Sequence, residues 1–218
     1  MSRYLFPRWA NKVPFAIVVA LGGAATMLIA AIWYYGTDKY WKVGYQPAQP
    51  IEFSHKLHAG DLGMDCRYCH NTVERSSYAA IPPTQTCMNC HSKVKTDSPK
   101  LAPLYESNAT GNAVPWVKVH SLPDYAYFDH SAHVTAGVGC STCHGRIDQM
   151  PRVTHFAPLT MAWCLDCHRN PGPNIRNAND ITKMDWQPSA DAPKTTGPVL
   201  TANGREANPP KHCSGCHR

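Results

Sequence analysis

Residues 128–144 read FDHSAHVTAGVGCSTCH, and this stretch decides how the rest of the chain is interpreted. It joins two histidines three residues apart, His130 and His133, to the motif Cys140-Ser-Thr-Cys143-His144. Two thiols at that spacing can add to the two vinyl groups of one porphyrin, and the adjacent imidazole then falls beneath the iron. The stretch therefore predicts a covalently attached c-type haem with two further histidines beside it.

The Cys-x-x-Cys-His motif occurs five times and uses all ten cysteines of the chain. The motifs are called the first to fifth anchor in chain order, and they consist of Cys66, Cys69 and His70; Cys87, Cys90 and His91; Cys140, Cys143 and His144; Cys164, Cys167 and His168; Cys213, Cys216 and His217. Zinc ribbons and disulfides are the alternatives, but neither explains a histidine after every second cysteine. The sequence predicts five covalently bound haem c groups.

Length and composition indicate a fold built around these cofactors. After the first forty or so residues, about 36 residues remain for each haem, which is too few to build an ordinary apolar core as well. The chain also contains 19 prolines and lacks long periodic apolar runs after its N-terminal part. We expect a mostly irregular fold with short α-helices wrapped around five c-type haems, preceded by one N-terminal transmembrane α-helix.

Residues 13–35 carry no charged side chain and form the predicted membrane span. As a helix these 23 residues measure about 35 Å, enough to cross a bilayer core of about 30 Å. A cleaved signal peptide is the alternative, but its apolar region is normally about 7–15 residues long and does not end in an aromatic belt such as Trp33-Tyr34-Tyr35. Basic residues precede the span, so residues 1–12 are predicted to be cytoplasmic and the haem domain periplasmic, in a single-pass protein of the bacterial inner membrane.

The remainder of the chain contains an internal repeat. A linker over residues 36–50 leads to Phe53-Ser-His55-Lys-Leu-His58, the same Phe-x-His-x-x-His pattern as at 128–133. Each copy is followed by two anchors, so residues 51–91 and 128–169 are predicted as two di-haem repeats. Residues 92–127 are predicted as a connecting loop, and residues 170–218 as an extended arm that carries the fifth haem.

The double-histidine elements are the best candidates for the distal iron ligands. Two histidines three apart on a helical turn point to one side and can reach two different irons, so His55, His58, His130 and His133 are predicted ligands. A haem with two protein ligands mainly passes electrons, whereas an open iron can bind and transform small molecules. The fifth distal ligand stays open between five residues, with Met150 preferred and His120 second, followed by His155, His212 and Met161.

The order of double-histidine element and anchors resembles the class III multihaem cytochromes. That resemblance implies that His55 ligates the haem of the first anchor and His130 that of the third, while His58 and His133 reach neighbouring haems. The whole layout resembles the pentahaem cytochrome c component of alternative complex III, including Trp116-Val-Lys-Val-His120-Ser-Leu-Pro-Asp-Tyr-Ala-Tyr-Phe128 and Met161-Ala-Trp163-Cys-Leu-Asp-Cys-His-Arg169. The resemblance implies a complex that oxidises quinol in the membrane and delivers electrons to a periplasmic acceptor.

These features predict a membrane-anchored periplasmic pentahaem cytochrome that relays electrons within a quinol:cytochrome c or similar oxidoreductase complex, without a catalytic site of its own. The expected partners are membrane lipid, a periplasmic cytochrome c or similar acceptor, and a multi-span subunit that oxidises quinol. A stand-alone quinol dehydrogenase that feeds a periplasmic reductase is the alternative, and a multihaem reductase fits less well. We predict no nucleic-acid partner despite the net charge of +6. Each ferric haem with ionised propionates brings roughly −1, so five haems bring the holoprotein close to neutrality.

Overall fold

The computed structural model describes residues 6–36, 42–187 and 198–217. Four parts of the sequence predictions lie outside these ranges: the first five residues with Arg3, residues 37–41 of the linker, and residues 188–197 and 218 of the arm. The chain divides into two compact units, Met1–Trp41 and Lys42–Arg218. Helices and irregular backbone make up the described chain, which contains three isolated β-bridges and no β-strand. This confirms the predicted fold class.

The first unit contains one long apolar helix. A 3₁₀ turn over Arg8–Lys12 leads into α1 (Val13–Gly36), which is 24 residues long. Among the described residues, Arg8–Gly36 is the one segment long and apolar enough to span a membrane, with a mean hydropathy of 2.4. Its large side chains, such as Ile29 and Trp33, are about two-thirds exposed within the chain. The helix therefore fits a single-pass membrane anchor.

The described part of the second unit contains six short α-helices, four of which coincide with anchors. They are α2 (Cys66–Cys69), α3 (Thr84–His91), α4 (Ala102–Thr110), α5 (His130–Ala136), α6 (Cys140–His144) and α7 (Met161–Arg169). A π-helical turn over Lys56–Asp61 follows His55, and the fifth anchor begins with a 3₁₀ turn over Cys213–Gly215. A helical turn brings residues i and i+3 to one face, so the two thiols of each anchor can point the same way.

Few apolar side chains of this unit are buried. Within the described residues the buried hydrophobic set consists of Ile51, Leu104, Ala157, Ile181 and Met184. Five residues cannot supply the apolar contact that stabilises a domain of this length. The unit thus has the composition expected of a chain that is completed by its cofactors.

Residues 92–127, predicted as a connecting loop, contain α4. Pro103 lies in the first turn of α4, and Gly111 ends the helix with a φ of +74°, which glycine adopts without strain. The Tyr105 hydroxyl donates a hydrogen bond to the His91 carbonyl oxygen over 2.9 Å. Tertiary contact of this kind stabilises a short helix despite its polar sequence, and α4 supports the second anchor.

Candidate haem-binding sites

All ten anchor cysteines lie in the described chain, and none of them forms a disulfide. Side-chain caps begin two of the anchor helices. The Asp65 carboxylate accepts a hydrogen bond from the Arg67 backbone N–H and begins α2, and the Thr160 hydroxyl accepts from Trp163 N–H and begins α7. Caps of this kind satisfy backbone donors that a helix leaves unpaired at its N-terminus. The thiols are therefore presented in pairs by ordered turns.

Three pairs of imidazole rings face each other at nearly the same distance. The ring centres of His55 and His70 are 6.5 Å apart, with planes that differ by 1°. The corresponding values are 6.3 Å and 59° for His58 with His91, and 6.1 Å and 39° for His133 with His168. Each pair joins one histidine of a double-histidine element to the histidine of an anchor.

This distance can be compared with that required by a metal bound between two imidazoles. With metal–nitrogen bonds of about 2 Å, ring centres on opposite sides of one metal lie about 6.3 Å apart. The three observed separations agree with this value to within a few tenths of an ångström. The side chains thus leave room for an iron between each pair of rings.

The other ring nitrogen of most of these histidines is held by the backbone. Nδ1 of seven anchor or double-histidine imidazoles hydrogen-bonds to a main-chain carbonyl oxygen at 2.7–3.2 Å; the seven are His58, His70, His91, His130, His133, His168 and His217. A histidine that ligates a metal usually donates its second N–H in this way, which fixes both the tautomer and the ring orientation. The Nε2 lone pairs are left available to an iron.

Two comparisons with known proteins report similar sequences. Residues 51–111 match the family described as cytochrome c7 and related cytochrome c. The chain is also similar to "Menaquinone reductase, multiheme cytochrome c subunit" of Nitratidesulfovibrio vulgaris (strain Hildenborough). The two are 36% identical over 178 residues, a match that covers 69% of this chain and 83% of the relative.

The chain belongs to the multihaem cytochrome c family. A cytochrome of this kind binds haem through cysteine thioethers, and the ten thiols described above suit that chemistry. The matches do not single out alternative complex III within the wider family.

The third anchor of this multihaem cytochrome lies in a cluster of histidines. The His120 ring centre is 4.5 Å from that of His144 and 5.0 Å from that of His155. Both distances are too short for an iron between the rings. His120 Nε2 and the Nδ1 atoms of His144 and His155 are buried without a hydrogen-bond partner. The predicted candidates His120 and His155 thus lie beside the third anchor.

The other candidates for the fifth distal ligand lie in different places. The Met150 carbonyl oxygen accepts a hydrogen bond from the Lys56 backbone N–H in the first repeat. Met161 begins α7 and is 61% exposed, and His212 immediately precedes the turn of the fifth anchor. His217 itself lies next to Tyr125, with ring centres 5.9 Å apart. The described contacts do not decide between these candidates, so ligation by Met150 stays a prediction.

Burial controls the protonation of the central imidazoles. Loss of solvent, followed by the nearby His70 and His58, lowers the pKa of His55 to about 4. The same cause, followed by the nearby His120, lowers the pKa of His144 to about 3. Both rings are therefore neutral at pH 7, which is the form that binds a metal.

Two kinds of supporting contact were not predicted from the sequence: a phenylalanine that stacks on each double-histidine element, and the buried Arg176. Phe53 and Phe128 each stack on the second histidine of their element, with ring centres 4.4 Å from His58 and 4.6 Å from His133. The repeated Phe-x-His-x-x-His pattern contained this signal, since the phenylalanine occurs in both copies. Arg176 gave no such signal, because it is a single arginine in an irregular arm.

Arg176 packs against the third anchor. Its guanidinium group is buried, donates to the Ser141 hydroxyl and the Lys183 carbonyl oxygen over 2.6 and 2.8 Å, and lies 4.5 Å from the Trp186 ring centre. A side chain at Gly139 would overlap this group. The arm therefore packs directly against the residue that precedes Cys140.

Proposed function

We propose that this multihaem cytochrome c carries five haems and relays electrons for a membrane-bound quinol or quinone oxidoreductase. The observation that supports this most strongly is the set of three imidazole pairs with ring centres 6.1–6.5 Å apart. An iron with an imidazole on each side has no open position for a substrate, so it exchanges electrons instead. The chain then needs no catalytic residue of its own.

In the proposed holoprotein every anchor binds one haem through both thiols and its histidine. The thiols are Cys66, Cys69, Cys87, Cys90, Cys140, Cys143, Cys164, Cys167, Cys213 and Cys216, and the proximal ligands are His70, His91, His144, His168 and His217. His55, His58, His130 and His133 supply four distal ligands. Met150 is the proposed fifth, and it would raise the reduction potential of its haem relative to one with two imidazoles.

The proposed location is the periplasmic face of a bacterial inner membrane. Basic residues precede α1, and positively charged segments tend to remain in the cytoplasm. α1 contains no Asp, Glu, His, Lys or Arg between Val13 and Tyr35. Proton-coupled oxidation of quinol needs such groups near the headgroup region, so we assign that reaction to a partner with several membrane spans.

The relative supports a role inside a complex, because its name describes a subunit of a menaquinone reductase. The layout of anchors also resembles the pentahaem cytochrome c component of alternative complex III, which would place this chain between the quinol-oxidising partner and a periplasmic cytochrome c. The two assignments differ in the direction of electron flow. A relay of paired imidazoles suits both directions, since each haem only gains and loses one electron.

Purification of the complex from membranes in mild detergent tests the proposal. We expect a multi-span subunit to co-purify, and the haems of the complex to exchange electrons with a menaquinone or menaquinol analogue under anaerobic conditions. The isolated chain should accept electrons from dithionite but not from the quinol. Equal quinol oxidation by the isolated chain would establish a stand-alone quinol dehydrogenase instead.

A further inference from the structure

The two di-haem repeats contact each other through equivalent parts. His130 donates its backbone N–H to the Ser77 carbonyl oxygen over 3.3 Å, and Lys56 donates its N–H to the Met150 carbonyl oxygen over 3.0 Å. Ser77 follows the histidine of the first anchor by seven residues, and Met150 follows that of the third anchor by six. The double-histidine element of each repeat thus binds the loop behind the leading anchor of the other repeat.

The arm bridges the same two anchors. Cys140 donates its backbone N–H to the Ile181 carbonyl oxygen over 3.1 Å, and the neighbouring Thr182 hydroxyl donates over 3.1 Å to the carboxylate of Asp65, the residue before Cys66. The first and third anchors are therefore neighbours.

Within each repeat the two anchors are neighbours. In the first repeat, the Asn89 amide of the second anchor donates to the Tyr68 hydroxyl of the first over 3.1 Å. In the second repeat, one arm segment contacts both anchors, because Arg176 donates to the Ser141 hydroxyl of the third anchor over 2.6 Å and Asn174 donates to Cys167 Sγ of the fourth over 3.5 Å. The double-histidine elements agree, because His55 and His58 face His70 and His91, the histidines of the first and second anchors.

The fifth anchor joins the fourth. The Pro210 carbonyl oxygen, three residues before Cys213, lies 2.7 Å from Nδ1 of His168.

Exposure of the thiols independently indicates which two anchors lie at the ends. Of the ten cysteines, all within the described chain, Cys90 and Cys213 are exposed and the other eight are partly buried. Cys90 belongs to the second anchor and Cys213 to the fifth. The two anchors that have one neighbouring anchor each are thus the two that carry an exposed thiol.

We propose that the five anchors form one unbranched series in the order second, first, third, fourth and fifth. The chain order is reversed in the first repeat, because the repeats join through their leading anchors. Only the use of this series for electron transfer rests on the proposed relay function, because the order itself describes where the anchors lie. A redox partner at either end would contact the segment around residues 87–91 or that around residues 213–217.

Electron arrival times provide a test. A ruthenium photosensitiser is attached to Asn208→Cys, an exposed site in the arm two residues before Pro210. Light and a sacrificial amine reductant then inject single electrons at the fifth-anchor end. Each hop oxidises one ferrous haem and reduces the adjacent ferric haem, with no proton or bond transferred. Two matched variants, His55→Met and His58→Met, each replace one distal ligand. In each variant one haem becomes a high-potential trap with its own spectrum.

The two traps differ only in their place in the series. We expect the His55→Met trap to fill before the His58→Met trap, so that the ratio of their filling rates exceeds one. The reverse order would mean that the second anchor lies closer to the second repeat, which overturns the proposed order but leaves the relay intact. Filling of neither trap would overturn the relay function, and the iron positions would then decide the order.

Iron positions in the unaltered protein give a second measurement that does not depend on electron transfer or on the variants. In a cryo-electron microscopy map of the holoprotein, the iron bound by His70 should be the first-repeat iron nearer to that of His144. If the iron bound by His91 is nearer, the proposed series is wrong. Five haems per chain in each variant, checked by pyridine haemochrome, ensure that the kinetic comparison uses intact protein.

Discussion

Replacing His55 or His58 with methionine should remove two different signals from the electron paramagnetic resonance spectrum of the ferric protein. Each axial imidazole donates π-electron density to one of two iron d orbitals. Parallel rings act on the same orbital and split the pair most, whereas perpendicular rings act on both and cancel. A small splitting gives a large maximum g value, so the ring angles of the structure predict an order of signals.

The magnitudes follow from the angles between ring planes. For two equal rings the splitting scales with the cosine of the angle, and the angles are 1° for His55 with His70, 39° for His133 with His168 and 59° for His58 with His91. The splitting thus falls from its full value to about 0.8 and about 0.5 of it. The maximum g value should rise in the same order.

Spectra at liquid-helium temperature of the ferric wild type and both variants provide the assay. His55→Met should abolish a signal of lower maximum g, and His58→Met one of higher maximum g. The two substitutions are matched, because both residues belong to one element and both exchange an imidazole for a thioether. Loss of the lower-g signal in His58→Met would show that the ring pairs or their angles are assigned wrongly.

Three further predictions concern residues around the ligands. Asp65→Ala should lower the free energy of unfolding by about 1–2 kcal/mol through loss of the α2 cap and an exposed ion pair, and Asp65→Asn by less, since asparagine also caps. The hydrogen bond from Arg67 lowers the pKa of Asp65 to about 2, so the contribution of its charge is present above pH 4 and should vanish as the pH of denaturant titrations falls towards 2. Phe128→Leu should lower the free energy of unfolding by about 1 kcal/mol through lost stacking on His133. It should also broaden the electron paramagnetic resonance signal of the haem ligated by His133 and leave the signal of the His58 haem unchanged. An unaltered line width would count against the stacking role. Gly139→Ala should displace the Arg176 guanidinium, cost about 1–3 kcal/mol and lower the yield of five-haem protein, whereas Gly172→Ala, where a new Cβ meets only Val199 at 3.4 Å, should give a normal yield.

The sequence predicts those features of the site that depend on spacing. Thioether chemistry requires Cys-x-x-Cys-His, and a helical turn lets His130 and His133 reach two different irons, so anchors and double-histidine elements can be recognised in the sequence. The π-helical turn after His55 and the α-helix that begins at His130 show that one spacing is used with two backbone geometries. Iron ligation requires the imidazole nitrogen atoms at particular positions, whereas different backbone hydrogen bonds can hold them there.

The arrangement of the repeats could not be predicted in this way. The contact of Lys56 with Met150 joins residues 94 positions apart, and no local preference encodes it. The same is true of Arg176, whose burial follows from how the arm crosses Gly139. α4 was missed because its polar sequence is stabilised by contact with the second anchor rather than by its own helix propensity.

A coulometric reductive titration of the purified full-length chain tests the central claim most directly. Measured anaerobically and normalised to protein concentration, it should take up five electrons per chain, all of them matched by growth of the reduced haem c absorption band. Fewer than five electrons, or electrons taken up without that band, would contradict a five-haem relay.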